Sequence, residues 1–169
     1  MQVVIIRHAP AENRQEFAQK SQFDDSRPLT NKGKDKMRQN IKGLQICLPQ
    51  ITRIAESPLV RAQQTAGLLA AFYPDAVRES LPALAPGGSE LTVLAYLQKQ
   101  AHTEETIALV GHEPDLGKLA TWLLDGEAGE WMPLKKGSAC LLEFSDDVEA
   151  GYAELCWMLM PKQLRQLAG

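Results

Sequence analysis

Arg7 and His8 close the apolar run Val3-Val4-Ile5-Ile6, and His112 follows a second run, Ile107-Ala108-Leu109-Val110, after one intervening glycine, Gly111. Apolar runs of this length rich in β-branched residues read as buried strands, so both imidazoles are expected at the carboxyl edge of one sheet. Within a pleated strand Arg7 and His8 point to opposite faces, and both reach one ligand only where the backbone leaves the pleat, as Pro10 favours. Two guanidinium groups, Arg7 and Arg61, and two imidazoles suit a phosphoryl group, which needs fixed cations around its equatorial oxygens and a nucleophile in line with the leaving group. In that assignment Arg7, Arg61 and a protonated His112 hold the oxygens, and His8 attacks phosphorus through an unprotonated ring nitrogen. The ordinary imidazole pKa of ~6.5 already supplies a neutral His8 near pH 7. A backbone carbonyl accepting from the other ring nitrogen would fix its tautomer.

Competing chemistries find less in the chain. Neither His8 nor His112 sits in an HxH, HExxH or HxxE arrangement, and His112-Glu113 places two potential metal ligands side by side rather than on one helical face, so no metal is expected. No GxSxG elbow marks a serine or cysteine nucleophile. Cys47, Cys140 and Cys156 lack CxxC spacing and are read as reduced, packed thiols. His102 has no motif around it and is given no role.

The elements that must position these residues alternate between strand and helix. After the first strand, Glu12 to Pro28 is polar and aperiodic and reads as a loop over the sheet edge. Thr30 is a candidate N-cap for a helix with Met37, Ile41, Leu44 and Leu48 on one face, ending before Pro49. Arg53 to Glu56 is a short strand, and Pro58 marks the start of a helix whose inward face is Ala62, Thr65, Leu69 and Phe72, with Arg61 in its first turn. A short strand near Val77, a Pro- and Gly-rich loop from Pro82 to Gly88, and a helix marked by Leu91, Leu94 and Leu97 lead to the second apolar run. Asp115 begins a helix that Asp125-Gly126 stops. Residues 140–144 and 154–159 read as two strands joined by a turn, and a short helix closes the chain. This alternation implies an α/β fold with a mainly parallel sheet covered on both faces, in which ligands bind outside the carboxyl ends of the strands.

Between the two histidine motifs lie Arg27-Pro28-Leu29-Thr30-Asn31-Lys32-Gly33 and Ser57-Pro58-Leu59-Val60-Arg61-Ala62-Gln63-Gln64-Thr65-Ala66. In this order, from Met1 to about Ala120, the chain resembles the histidine phosphatase superfamily and in particular its short phosphohistidine phosphatase branch. The resemblance implies one domain over residues 1–169, a three-layer α/β/α architecture with a C-terminal hairpin extending the sheet antiparallel, and a phosphohistidine intermediate on His8 with Arg7, Arg61 and His112 around it. Many members carry a catalytic Glu after the second Arg, which protonates an alkoxide leaving group. Here Glu90 is the only acid in that segment, and it is better explained as a first-turn acid complementing the helix dipole than as a general acid. Asp24 and Asp25 could serve as acid or hold the loop. Imidazole needs such an acid less than an alkoxide does, and the short chain leaves little to enclose a small metabolite. The leading expectation is a cofactor-free phosphatase of phosphohistidine on a phosphotransfer domain or phosphocarrier. The alternatives are a phosphatase of small monoesters or sugar phosphates, a mutase, and a noncatalytic phosphoprotein-binding module.

With 169 residues, 44% hydrophobic and 23% charged, the chain is sized and composed as one globular domain rather than a disordered or membrane protein. No secretory signal is visible before the first strand, so a cytoplasmic location is expected by default. A net charge of −3 argues against general nucleic-acid binding. Lys32, Lys34, Lys36, Arg38 and Lys42 nevertheless form one basic segment, read as a solvated helix face or as a docking surface for an acidic phosphoprotein.

Overall fold

The computed structural model describes residues 1–20, 23–101 and 105–169. His102 lies outside the described residues. Six strands form one sheet: β1 (Gln2–Arg7), β2 (Arg53–Glu56), β3 (Val77–Ser80), β4 (Thr106–Gly111), β5 (Ala139–Glu143) and β6 (Glu154–Leu159). Their order is β3-β2-β4-β1-β5-β6. The first four are parallel, while β5 pairs antiparallel with both β1 and β6, as the α/β expectation with its C-terminal hairpin requires.

The period of two along each strand divides the core. Val3 and Ile5 of β1, Ile107 and Leu109 of β4, and Cys140 and Leu142 of β5 pack to one side, under α4 (Glu90–Gln100) and α5 (Asp115–Asp125). Val4 and Ile6, Ala108 and Val110, and Ala139 and Leu141 pack to the other, under α2 (Asn31–Cys47), α3 (Val60–Ala70) and α6 (Pro161–Leu167). Continuous apolar runs are therefore needed in the central strands, because no face of them meets water.

Capping follows the sequence signals. Thr30 accepts from Gly33 N at 2.9 Å at the start of α2, and Met37, Ile41, Leu44 and Leu48 are all buried. Gly33 is required by close approach, since a Cβ there would run into the Pro10 carbonyl oxygen. Gly126, at φ +75°, stops α5.

Four local expectations change. The segment after β1 is not all loop: Asn13 accepts from Gln15 N and Glu16 N and starts the short helix α1 (Arg14–Ala18), and a 3₁₀ turn covers Asp24–Ser26. Leu91 is 69% exposed, because the inward face of α4 is Val93, Leu94 and Leu97. Helix α3 begins at Val60, two residues after Pro58, and ends at Ala70, leaving Phe72 half-buried beyond it. Cys140 is buried, but Cys156, on edge strand β6, is exposed rather than packed. No helix among the described residues is long and apolar enough to cross a membrane.

Candidate active site

Parallel pairing of β1 with β4 sets Arg7 opposite Gly111, and His8 N donates to Gly111 O at 3.1 Å immediately beyond the ladder. The two strand ends thus stop level, and the His8 and His112 rings lie 5.1 Å apart, centroid to centroid. Next to β4, Ser57 N donates to Val110 O at 2.9 Å and carries the chain from β2 toward α3, where Arg61 occupies the first turn. The third side of the site is the segment before β5, where Leu134 O accepts from Arg7 Nη1 at 2.6 Å. Arg7, His8, Arg61 and His112 all line one open basin, together with Glu12, Arg14, Asp24, Arg27, Glu113 and Lys136.

Thr65 locks this edge. Its hydroxyl donates to Arg61 O at 2.7 Å and accepts from Ala9 N at 3.1 Å, so one buried side chain ties the residue after His8 to the helix that carries Arg61. Gln64 Oε1 accepts from Leu29 N at 2.8 Å, joining the same helix to the segment before Thr30. The spacing of Arg61, Gln64 and Thr65 is thereby explained by one helix face reaching two chain segments.

His8 is buried, and its Nδ1 lies 2.7 Å from Ala9 O. A carbonyl only accepts, so Nδ1 carries the proton and Nε2 keeps a free lone pair. Burial pushes the His8 pKa down to about 4, opposed by the Ala9 hydrogen bond and reinforced by the charges of Arg61, Arg7 and Lys136. His112 is pushed down to about 3 by burial, with His8 and Arg61 adding to it. The expectation of a protonated His112 therefore fails: burial, reinforced by neighbouring cations, leaves both imidazoles neutral at pH 7. His112 Nε2 lies 2.8 Å from Ser57 Oγ. His112 Nδ1, Arg7 Nε and Arg61 Nε are buried and have no protein hydrogen-bond partner. Three buried donor-capable atoms without acceptors, contributed by three different chain segments, are what an oxyanion would satisfy.

Asp24 holds the loop instead of standing free as an acid. Its carboxylate lies 2.8 Å from Arg27 Nε, 3.2 Å from Arg61 Nη2 and 3.6 Å from Arg14 Nε. Burial pushes the Asp24 carboxyl up, but the hydrogen bond from Arg27 and the fields of Arg61, Arg27 and Arg14 outweigh it and leave the pKa below its ordinary value. Asp25 is exposed and outside the basin wall. Glu90 also lies outside that wall, at the first position of α4, where Ser89 caps the helix by accepting from Thr92 N at 3.2 Å. Glu113 spends one carboxylate oxygen on Leu134 N at 2.9 Å, and burial raises its pKa. Among the described residues no three His, Cys, Asp or Glu side chains converge as a metal site would need.

Sequence reasoning missed Arg27 and Lys136. Arg27 is buried and donates to Glu12 O at 2.8 Å. Lys136 has its pKa lowered by burial, then by Arg7, Arg27 and Arg61. Arg27 opens the Arg27–Gly33 motif, which marks its place in the chain but not its burial. Nothing local marks Lys136.

The depressed histidines make stability depend on pH. Below the unfolded imidazole pKa of ~6.5 the unfolded chain binds protons that the folded chain refuses until about pH 4 at His8. Stability therefore falls as pH falls through that window, and His8 alone costs on the order of 1–2 kcal/mol between pH 7 and pH 5. Thermal melts should show a steeper acid-side loss for the wild type than for His8→Ala, and equal slopes would contradict the burial of a neutral imidazole.

A model of the histidine phosphatase superfamily (branch 1) matches residues 3–83. The phosphohistidine phosphatase SixA of Escherichia coli (strain K12) is 31% identical over 169 residues, covering 98% of this chain and 97% of its own length. A solved structure of the protein histidine phosphatase SixA complexed with tungstate superposes with a TM-score of 0.81 at 29% identity, covering 97% of this chain and 99% of that one. A mycobacterial glucosyl-3-phosphoglycerate phosphatase solved with inorganic phosphate shares the fold, with a TM-score of 0.69 at 19% identity and coverage of 95% and 98%.

Proposed function

The chain belongs to the histidine phosphatase superfamily, and from that premise we propose that this phosphatase acts, without a metal, on phosphohistidine carried by another protein, through a phosphohistidine formed on His8. The observation that carries the reading is the free Nε2 of a buried, neutral His8 set among Arg7, Arg61 and His112. The full-length similarity to a phosphohistidine phosphatase supports the substrate class, and the SixA relative complexed with tungstate, itself a tetrahedral oxyanion, supports oxyanion binding in the basin.

In the first step the His8 Nε2 lone pair forms a bond to phosphorus while the P–N bond of the substrate breaks, and the departing imidazole nitrogen takes a proton from solvent. Arg7 and Arg61 hold the equatorial oxygens as charge spreads over them. His112 Nε2 shares a hydrogen bond with the Ser57 hydroxyl, and in the tautomer where Ser57 donates, the His112 proton sits on the otherwise unpartnered Nδ1 and a neutral imidazole donates to the same oxygens. In the second step water attacks phosphorus, the bond to His8 Nε2 breaks, the water's proton is released, and orthophosphate leaves.

The second reading, hydrolysis of small phosphate monoesters, rests on Glu12, the one carboxyl lining the basin besides Asp24 and Glu113 and a candidate acid for an alkoxide leaving group. A matched comparison of a histidine-phosphorylated protein, free phosphohistidine and an alkyl phosphate separates the two. The proposed activity predicts fast cleavage of the phosphoramidates, poor cleavage of the alkyl ester, and at most about a twofold loss in Glu90→Gln. A general acid is worth ~10²–10⁴-fold. A loss of that size in Glu90→Gln or Glu12→Gln, confined to alkyl esters that the wild type cleaves efficiently, would instead establish the monoester activity.

A further inference from the structure

Helix α2 carries Lys32, Lys34, Lys36, Arg38 and Lys42 against a single carboxylate, Asp35, in a chain whose net charge is −3. The arrangement works against the helix. Lys32–Lys36, Lys34–Arg38 and Arg38–Lys42 are like-charge pairs at i,i+4, a spacing at which like charges destabilise a helix. Lys32 and Lys34 also sit in the first turn, with no acid there, where the macrodipole favours anions. Arg38 pairs with Asp35 at 2.9 Å, and Lys32, Lys36 and Lys42 are exposed. Local stability does not account for this charge pattern.

Its position does. Pro10 O, two residues past His8, accepts from Thr30 N at 3.2 Å, and Asn40 Nδ2 donates to Gly137 O at 2.9 Å, beside Lys136. The N-terminus and the third turn of α2 are thus each anchored to a segment of the catalytic edge. The same Asn40 ties the helix to α6, where Arg165 Nη1 donates to Asn40 Oδ1 at 2.9 Å. The basin wall carries Arg14, Arg27 and Lys136 beside Glu12, Asp24 and Glu113, and α2, anchored to that edge, presents Lys32, Lys36 and Lys42 to solvent. One phosphoryl group occupies only the basin.

We propose that the exposed basic face of α2 is the docking surface for the phosphoprotein, and that it selects a partner whose phosphohistidine stands beside an acidic surface. The inference rests on the phosphohistidine-protein activity proposed above. Like charges held against the helix's own preference become favourable once an acidic partner covers them, and such patches act chiefly on encounter rate.

The test uses Lys32→Glu/Lys36→Glu, whose glutamates suit the N-terminal half of the helix, so the variant is expected to melt no lower than the wild type. The probes are free phosphohistidine and histidine-phosphorylated peptides flanked by zero or four glutamates. The wild type should prefer the acidic peptide and lose that preference at high salt. The variant should fall about tenfold or more in kcat/KM on the acidic peptide, through KM, while free phosphohistidine turnover stays within about twofold. Equal use of both peptides by the wild type, or an unchanged variant, would overturn the docking surface and leave the activity standing. Failure of the wild type to cleave any of the probes would overturn the activity and the docking surface together. Binding of an oligonucleotide by the wild type, lost in the variant, would assign the face to nucleic acid and overturn the proposal.

Discussion

His8→Ala is expected to lose all measurable phosphate release and to form no phosphoenzyme, while remaining folded and still binding an oxyanion. The side chain supplies the attacking nitrogen, and no other nitrogen in the basin combines a free lone pair with a tautomer fixed by a backbone carbonyl. Its removal costs the fold little, because His8 belongs to neither apolar cluster and β1 ends before it. Ala9 O loses one hydrogen bond, worth about 1 kcal/mol. Against this, a buried imidazole with a depressed pKa is removed, so at mildly acidic pH the variant should be the more stable protein. Arg7, Arg61 and His112 remain, so vanadate or phosphate should still protect the variant against thermal unfolding. Rapid-quench labelling with a histidine-phosphorylated protein separates chemistry from binding: the wild type should carry transient acid-labile label and the variant none. Wild-type phosphate release from a folded His8→Ala protein would remove His8 from the mechanism, and unlabelled wild-type protein that binds without releasing phosphate would make the chain a binding module.

What could be read from the chain beforehand divides along physical lines. The apolar runs at β1 and β4 needed no partner to be recognised, since a strand buried on both faces has no polar side to disguise it. Because the two strands pair in register, their ends alone bring His8 and His112 together. The Thr30 cap and the Arg61 turn are likewise local, readable within a few residues. The burial of Arg27 was not, because it depends on Glu12 O and Asp24 meeting it once the segment after β1 has folded back. That same closure gave Asp24 its task, holding arginines from three positions. The neutral state of both histidines was hidden for a related reason: burial, which depresses them most, exists only once the site has folded, and the charges that add to it are Arg61 at both rings, with Arg7 and Lys136 at His8 and Arg27 at His112. Leu91 misled in the other direction, since three leucines at helical spacing fixed a helix but not which of its faces turned inward.

Arg61→Ala should lower kcat by ~10²–10³, the usual cost of removing one preorganised donor to developing charge. Its guanidinium is buried, held by Asp24 O at 3.0 Å and Asp24 Oδ2 at 3.2 Å, so it is oriented before substrate arrives and contributes without reorganising. The substitution also has a signature that a purely structural defect would lack. Arg61 is one of the charges that depress His8, so its loss should let the His8 pKa rise and move the acid limb of the pH–rate profile to higher pH. Arg61→Lys keeps the charge but not the planar fork. It should therefore hold the acid limb near its wild-type position while recovering only part of the rate. The pair of variants thus separates field from geometry at one position. Full recovery by lysine would mean that charge alone suffices there, and an alanine variant within a few-fold of wild type, with an unmoved acid limb, would exclude Arg61 from the site.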